Sequence, residues 1–261
     1  MDDRRVTIAI EGGIANVRLA RTDKLNAMDR SMFESVARAI EKLESEKGVR
    51  CVVLSGEGRG FCAGVDLEAV GVDPVFKDLI SRTHGEANLF QNAAWGWRTL
   101  PVPVIAAVHG VAFGAGCQMM LGADVRFAAP DTKISVMEMR WGIVPDMGGF
   151  ALLRNLVRDD VARELIYTAK IISGREAADL GLVTRVVDDP FAEAMALANT
   201  IAGQSPEAIR AAKRLLNAMP DASGAELLLA EVEEQQVLLN SEGHHETVRA
   251  AAEKRRPVFR D

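Results

Sequence analysis

Apolar and polar positions alternate from residue 5 to residue 20 and break at Glu11-Gly12-Gly13, which predicts two strands joined in a hairpin. From Asp29 to Lys47 the period lengthens. Met32, Phe33, Val36, Ile40 and Leu43 then share one face, and Asp29 stands where it can cap the first helical turn. Val49 to Ser55 reads as a buried strand. Residues 68–100 carry no strand signature, and Pro74, Trp95 and Trp97 point to helices and loops there. A second buried strand is expected over Val102 to His109, followed by Gly114-Ala115-Gly116, a buried helix beginning in Cys117 to Gly122, and a strand over Asp124 to Ala128. Past Gly148-Gly149 the pattern is mostly helical, with one more strand suggested over Leu182 to Val187. Three amphipathic helices follow, from Ser205-Pro206, Ser223 and Ser241. Strands and helices interleaved in this way predict a layered α/β fold.

Composition narrows the function classes more than the fold. With 261 residues, 48% of them apolar and 26% charged, the chain has the balance of a globular protein with a large core. A net charge of -6 argues against nucleic acid or an anionic membrane as partner. The three cysteines, Cys51, Cys62 and Cys117, fit neither a disulfide framework nor a zinc spacing, and the four histidines form no metal-ligand pattern. No metal and no redox cofactor are expected. The charged start MDDRRVTIAIEGG has no apolar signal core, and no run is long and uncharged enough to span a bilayer, so the expected location is the cytoplasm.

Two segments carry candidate chemistry. In Phe61-Cys62-Ala63-Gly64-Val65-Asp66-Leu67, after a strand and a glycine-rich turn, small residues let a ligand carbonyl approach the main chain, where a backbone N–H can donate to it. In Gly114-Ala115-Gly116 the chain passes from strand to helix, and the first helical N–H groups favour developing negative charge. Either segment alone is explained as well by a tight turn or by close helix packing. Together they are more specific.

In order along the chain stand FCAGVDL at 61–67, PVIAAVHG at 103–110, GAGCQ at 114–118 and EMRWGIVPDMGG at 138–149, with RTDKLNAMD at 21–29 and KRRPVF at 254–259. This series resembles the crotonase (enoyl-CoA hydratase/isomerase) family over nearly the whole chain. The resemblance implies an α/β crotonase-like spiral of repeated ββα units over residues 1–202 and a C-terminal helical region over 203–261 that builds homotrimers or dimers of trimers. It implies an acyl-CoA thioester as substrate, with coenzyme A carried as part of that substrate. The backbone N–H groups of Ala63 and Ala115 would form the oxyanion hole, and the coenzyme A tail would lie along Lys24, Leu25 and Phe61 to Leu67, a stretch that includes Ala63, Val65 and Asp66. For Lys24 an exposed loop lysine is an equal alternative to a phosphate contact.

The acids and bases decide which reaction is expected. Hydratases of the family place two glutamates at the reacting bond; here Glu138 keeps one and Gln118 replaces the other. An amide neither gives nor takes a proton at neutral pH. Asp146 stands where the family's dienoyl-CoA isomerases carry an aspartate, but after Pro145 and before Gly148-Gly149 it can equally cap the next helix. The reaction expected first is therefore proton transfer that shifts a double bond in an enoyl- or dienoyl-CoA, with Glu138 as base. Hydration of a 2-enoyl-CoA comes second. A catalytically silent acyl-CoA binder is the rival from another class, and it leaves Glu138 without a use. Trp95, Trp97 and Trp141 are open between lining an acyl tunnel and packing a core.

Overall fold

The computed structural model describes residues 5–77 and 79–260. Strands β1 (Val6–Glu11) and β2 (Ile14–Leu19) pair antiparallel through Gly12 and Gly13, whose φ angles of 58° and 79° are the left-handed pair a two-residue hairpin turn requires. Helix α1 (Arg30–Ser45) starts where Asp29 accepts a hydrogen bond from the Met32 N–H at 2.9 Å, and it buries Met32, Phe33, Val36, Ile40 and Leu43.

From β3 onward the chain winds as a spiral. Strand β3 (Cys51–Gly56) leads through a single parallel bridge at Cys62 into the short helix α2 (Leu67–Val72) and on to α3 (Leu89–Thr99). Next come β4 (Val104–Val108), β5 (Val111–Phe113) and α4 (Ala115–Leu121), and then β6 (Val125–Ala128), β7 (Lys133–Ser135) and a 3-10 turn over Glu138–Trp141. Each turn thus gives one rung to a large sheet and one to a small sheet. The large sheet has the order β1-β2-β3-β4-β6-β9, with β9 at Arg185–Val186, and runs parallel from β2 onward. The small sheet is β5-β7-β8, with β8 at Ile172–Ser173.

The central rungs are covered on both faces, and for that reason they read as unbroken apolar runs. Val52, Leu54, Val104 and Ala106 enter the main core, whereas Cys51, Val53, Ile105 and Ala107 pack under Ala194, Ala198 and Ala202 of α8 (Pro190–Ala202). Between the spiral and α8 lie α5 (Gly149–Leu153), α6 (Asp159–Thr168) and α7 (Gly174–Asp179). The winding of strand, strand and helix onto two sheets agrees with the α/β spiral expected from the sequence.

The last three helices, α9 (Pro206–Ala218), α10 (Gly224–Leu238) and α11 (Glu242–Ala252), begin at Ser205, Ser223 and Ser241, each accepting a bond from its first turn. Helix α9 is tied to the spiral by Lys213, a buried amine that donates to Val102 O at 2.7 Å and pairs with Asp124 at 2.8 Å; burial pushes its pKa down. Helix α10 buries none of its residues and leaves Leu228, Leu229, Val232 and Val237 exposed. No helix among the described residues is long and apolar enough to cross a membrane.

Four strands depart from the sequence expectation. β5, β7 and β8 have three residues or fewer, too few for an alternation to register, and they form the small sheet. The strand expected over Leu182 to Val187 contracts to Arg185–Val186.

Candidate active site

The register of the small sheet gathers the candidate residues. Cys62 pairs parallel with Ala112, and Ala112 with Ile134, so three successive turns of the spiral lie side by side in one row. One residue past Cys62 stands Ala63, three past Ala112 stands Ala115, and four past Ile134 stands Glu138. Segments more than seventy residues apart in sequence therefore leave the sheet at one edge. No local pattern announces this, because it depends on the pitch of the spiral.

Glycines let the first two segments touch. Gly64 has a φ of 96°, and a Cβ on it would sit 2.9 Å from Phe113 O and 3.8 Å from Ala115 N. A Cβ on Gly116 would run into Cys62 O and Cys62 Cβ. The Ala115 N–H opens α4 and has no acceptor among the described residues, as expected of a first helical turn.

At Ala63 the structure differs from the expectation of a freely available donor. The Ala63 N–H donates to Leu25 O at 2.9 Å. The cause is local: Leu25 and Asn26 both have left-handed φ angles, 50° and 58°, which curl residues 22–27 so that the Leu25 carbonyl faces residue 63. Asn26, fully buried, fixes that curl by donating to Glu57 O, Gly60 O and Phe61 O at 3.0, 2.9 and 3.2 Å and accepting from the Arg21 N–H at 2.9 Å. Its role was visible in the sequence only as part of RTDKLNAMD. An asparagine flanked by turn residues and tolerant of positive φ was the available signal.

Glu138 is 7% exposed, next to Gly114, on which a Cβ would lie 3.3 Å from Glu138 Oε1. The buried Gln118 side chain donates from Nε2 to Glu138 Oε1 at 2.6 Å, and its Oε1 accepts from the N–H groups of Met147 and Gly149 at 2.9 and 3.1 Å. Glu138 Oε2 is buried with no hydrogen-bond partner among the described residues. Burial pushes the Glu138 pKa above its ordinary value, its own and the Met137 backbone N–H groups and Gln118 pull it back, and the charge of Asp146 pushes it up again. A buried carboxylate with one unpartnered oxygen is costly to a fold and common at reactive sites.

Asp146 does not cap a helix. The N-cap of α5 is Gly148, with no side-chain cap bond, so that alternative falls. The Asp146 side chain is exposed at the surface, yet enough protein surrounds it to raise its pKa. Its charge adds to burial in raising the Glu138 pKa. Burial pushes the nearby Cys62 thiol up to about 12 and raises that of Cys117 as well, with help from the Glu138 charge, which disfavours the nucleophilic thiolate.

The expected coenzyme A side divides. Lys24 is exposed and paired with Glu68 at 3.1 Å, Leu25 and Val65 are half-buried, and Leu67 is exposed. Phe61 is wholly buried in the core, and its N–H donates to His109 O. The Asp66 carboxylate is committed to the fold: it caps α2 through the Glu68 N–H at 3.2 Å and pairs with Arg21 at 2.7 Å. Burial raises the Asp66 pKa, but the Arg21 hydrogen bond and charge outweigh it and hold it below the ordinary value. Among the tryptophans, Trp97 is core, Trp141 is exposed, and Trp95 is half-buried against Gly148. Two surface grooves of about 630 and 590 Å³ lie elsewhere, one beside α11 and the C-terminal residues and one between α1 and α3; neither contains Glu138. The candidate site is therefore identified by its chemistry rather than by its size. Among the described residues no three His, Cys, Asp or Glu side chains gather as a metal site.

The chain is similar to known proteins along nearly its whole length. The family model described as Enoyl-CoA hydratase/isomerase matches residues 9–261. A probable enoyl-CoA hydratase of Mycobacterium tuberculosis is 33% identical over 93% of this chain and 93% of its own length. A 1,2-epoxyphenylacetyl-CoA isomerase of Escherichia coli is 32% identical over 96% of both chains. The solved enoyl-CoA hydratase of Bacillus anthracis superposes with a TM-score of 0.90 at 27% identity, covering 98% of each chain. With the family model matching nearly the whole chain and these relatives more than 30% identical over more than nine-tenths of it, the chain belongs to the enoyl-CoA hydratase/isomerase family of enzymes.

Proposed function

We propose that the protein moves a proton beside an acyl-CoA thioester, shifting the double bond of an enoyl- or dienoyl-CoA, with Glu138 as the base. One observation carries this reading: a buried carboxylate with one hydrogen-bonded and one unpartnered oxygen stands beside Gly114, the residue before the Ala115 N–H. In this scheme Glu138 takes a proton from the carbon beside the thioester carbonyl, and the electron pair spreads onto the carbonyl oxygen as an enolate. The Ala115 N–H stabilises that oxygen, and the Ala63 N–H joins when the ligand oxygen competes with Leu25 O. Each such donor contributes about 3–4 kcal/mol to the transition state. Glu138 then returns the proton to a carbon further along the chain, so the proton count is unchanged.

Hydration requires a second group to handle the proton of water. Gln118 does not supply it, because both lone-pair directions of its oxygen are engaged by Met147 and Gly149. A two-acid variant of the isomerisation, in which Asp146 helps on a dienoyl-CoA, is favoured by the electrostatic coupling of Asp146 to Glu138. Exposed Trp141, Ile143, Val144 and Phe150 flank this segment in sequence and suit an apolar acyl chain. The exposed apolar residues of α10 support self-association, as a trimer or a dimer of trimers, which light scattering of the intact chain tests.

The test of activity is a substrate panel of 2-enoyl-, 3-enoyl- and 3,5-dienoyl-CoA followed by absorbance. Conversion of the 3-enoyl-CoA that survives Asp146→Ala and vanishes in Glu138→Ala supports the one-base scheme. Hydration as fast as isomerisation overturns it, and tight binding without turnover on all three favours the silent binder.

A further inference from the structure

Gln118 is held more firmly than a polar residue filling a gap. Two backbone N–H groups, from Met147 and Gly149, converge on its Oε1, which leaves that oxygen no further lone-pair direction. The amide therefore has one orientation, since the flipped one would set its NH2 against two donors. In the orientation that remains, Nε2 faces Glu138 Oε1 at 2.6 Å. A hydrogen already lies between these two atoms, so Oε1 carries none of its own. The other oxygen, Oε2, accepts nothing from the described residues.

We propose that Gln118 is a positioning residue that reserves Oε2 of Glu138 as the single atom through which the transferred proton passes. The inference rests on the reading of Glu138 as base. The lone pair of Oε2 takes the proton as the C–H bond breaks, the carbon electron pair enters the enolate, and the new O–H bond breaks when the same proton is returned to the distant carbon. Because one atom makes both transfers, both occur on one face of the substrate. The same three hydrogen bonds fix residues 147 and 149, and so set where Asp146 stands relative to Glu138.

Gln118→Glu separates positioning from packing, since the shape is kept and only the hydrogen between the two side chains is changed. The new carboxylate still accepts from Met147 and Gly149, and those donors favour its ionised form. Two oxygens in contact cannot both belong to ionised groups, so Glu138 keeps a proton on Oε1, shared with residue 118, until a higher pH. The acid limb of kcat/KM for a 3-enoyl-CoA is expected to move up by at least about one pH unit, a tenfold loss per unit below the limb, with activity recovered above it. A limb that stays in place while only the amplitude falls would mean a merely structural role and overturn the proposal.

Should that variant fold poorly, stereospecifically deuterated 3-enoyl-CoA with the unaltered enzyme gives an independent answer by NMR. Removal and delivery on the same face are expected, and delivery on the opposite face overturns the inference. Undiminished turnover in Glu138→Ala would remove the underlying reading. Turnover lost in Glu138→Ala with the limb unmoved in Gln118→Glu would remove only the role of Gln118.

Discussion

The two glycine junctions of the site occupy equivalent places in successive turns of the spiral and differ in almost everything else. The segment after Phe113 enters α4, a helix buried along its whole length, with Gly116 packed against the Cys62 carbonyl. The segment after Cys62 enters α2, a six-residue helix with exposed Leu67, Val70 and Val72, and its donor is held by a carbonyl of the 22–27 loop. A backbone N–H at the start of a buried helix costs no reorganisation when charge develops. One bonded to a loop carbonyl must exchange partners. The spiral thus presents one N–H without an acceptor among the described residues, at the start of a buried helix, and one already bonded to a loop carbonyl, with Glu138 beside Gly114 on the following turn.

That contrast can be attacked from several sides. The largest effect is expected for Glu138→Ala, which should lower 3-enoyl-CoA isomerisation by about 10²–10⁴-fold, the usual contribution of a general base, while circular dichroism shows the fold intact. Substitution of the glycines should separate the junctions. Gly116→Ala sets a Cβ against backbone that cannot yield, and should destabilise by about 3 kcal/mol or more in urea unfolding. Gly64→Ala, strained at a φ of 96° but with a Cβ that would meet a single carbonyl oxygen, Phe113 O at 2.9 Å, should cost about 1–3 kcal/mol. Equal losses would mean that the two junctions are equally rigid.

Asp146→Asn should act through charge alone. With the negative charge gone, Glu138 gives up its proton more readily, so the acid limb of kcat/KM should move to lower pH. An upward move would contradict the assigned coupling. The same raised pKa has a consequence for stability. A carboxyl whose folded pKa lies above its unfolded one favours folding below the unfolded value and loses that contribution as pH rises through the folded value. Thermal unfolding of Glu138→Gln should therefore gain on the unaltered chain as pH rises from acid toward neutral, and a gap independent of pH would contradict the shift. The smallest effect is expected at Lys24, whose pair with Glu68 is exposed. Lys24→Ala should leave stability within about 0.5 kcal/mol and weaken only binding of the coenzyme A ester, measured by calorimetry.

The sequence was most legible where one period runs long enough. The hairpin, α1 with its Asp29 cap, the two-sided strands β3 and β4, and the serine caps of α9 to α11 all stand within a few residues of their expected places. The small sheet escaped because its rungs are three residues or shorter, yet its row Cys62, Ala112, Ile134 is what assembles the site. Family motifs pointed to Ala63, Ala115, Gln118 and Glu138. They did not reveal that Leu25 holds the first donor, nor that Gln118 joins Glu138 to Met147 and Gly149, since both depend on contacts between distant turns. Asp146 was open between cap and acid on local pattern alone, and only the left-handed Gly148 at the helix start decides against the cap.

The most direct measurement is deuterium wash-in at the carbon beside the thioester of a saturated acyl-CoA, followed by NMR in heavy water, because it reads enolate formation without any double bond to move. Exchange is expected with the unaltered enzyme and with Asp146→Asn, and none above background with Glu138→Gln, if Glu138 is the base. Exchange at an undiminished rate in Glu138→Gln, or none in the unaltered enzyme while the ester is bound, would contradict it.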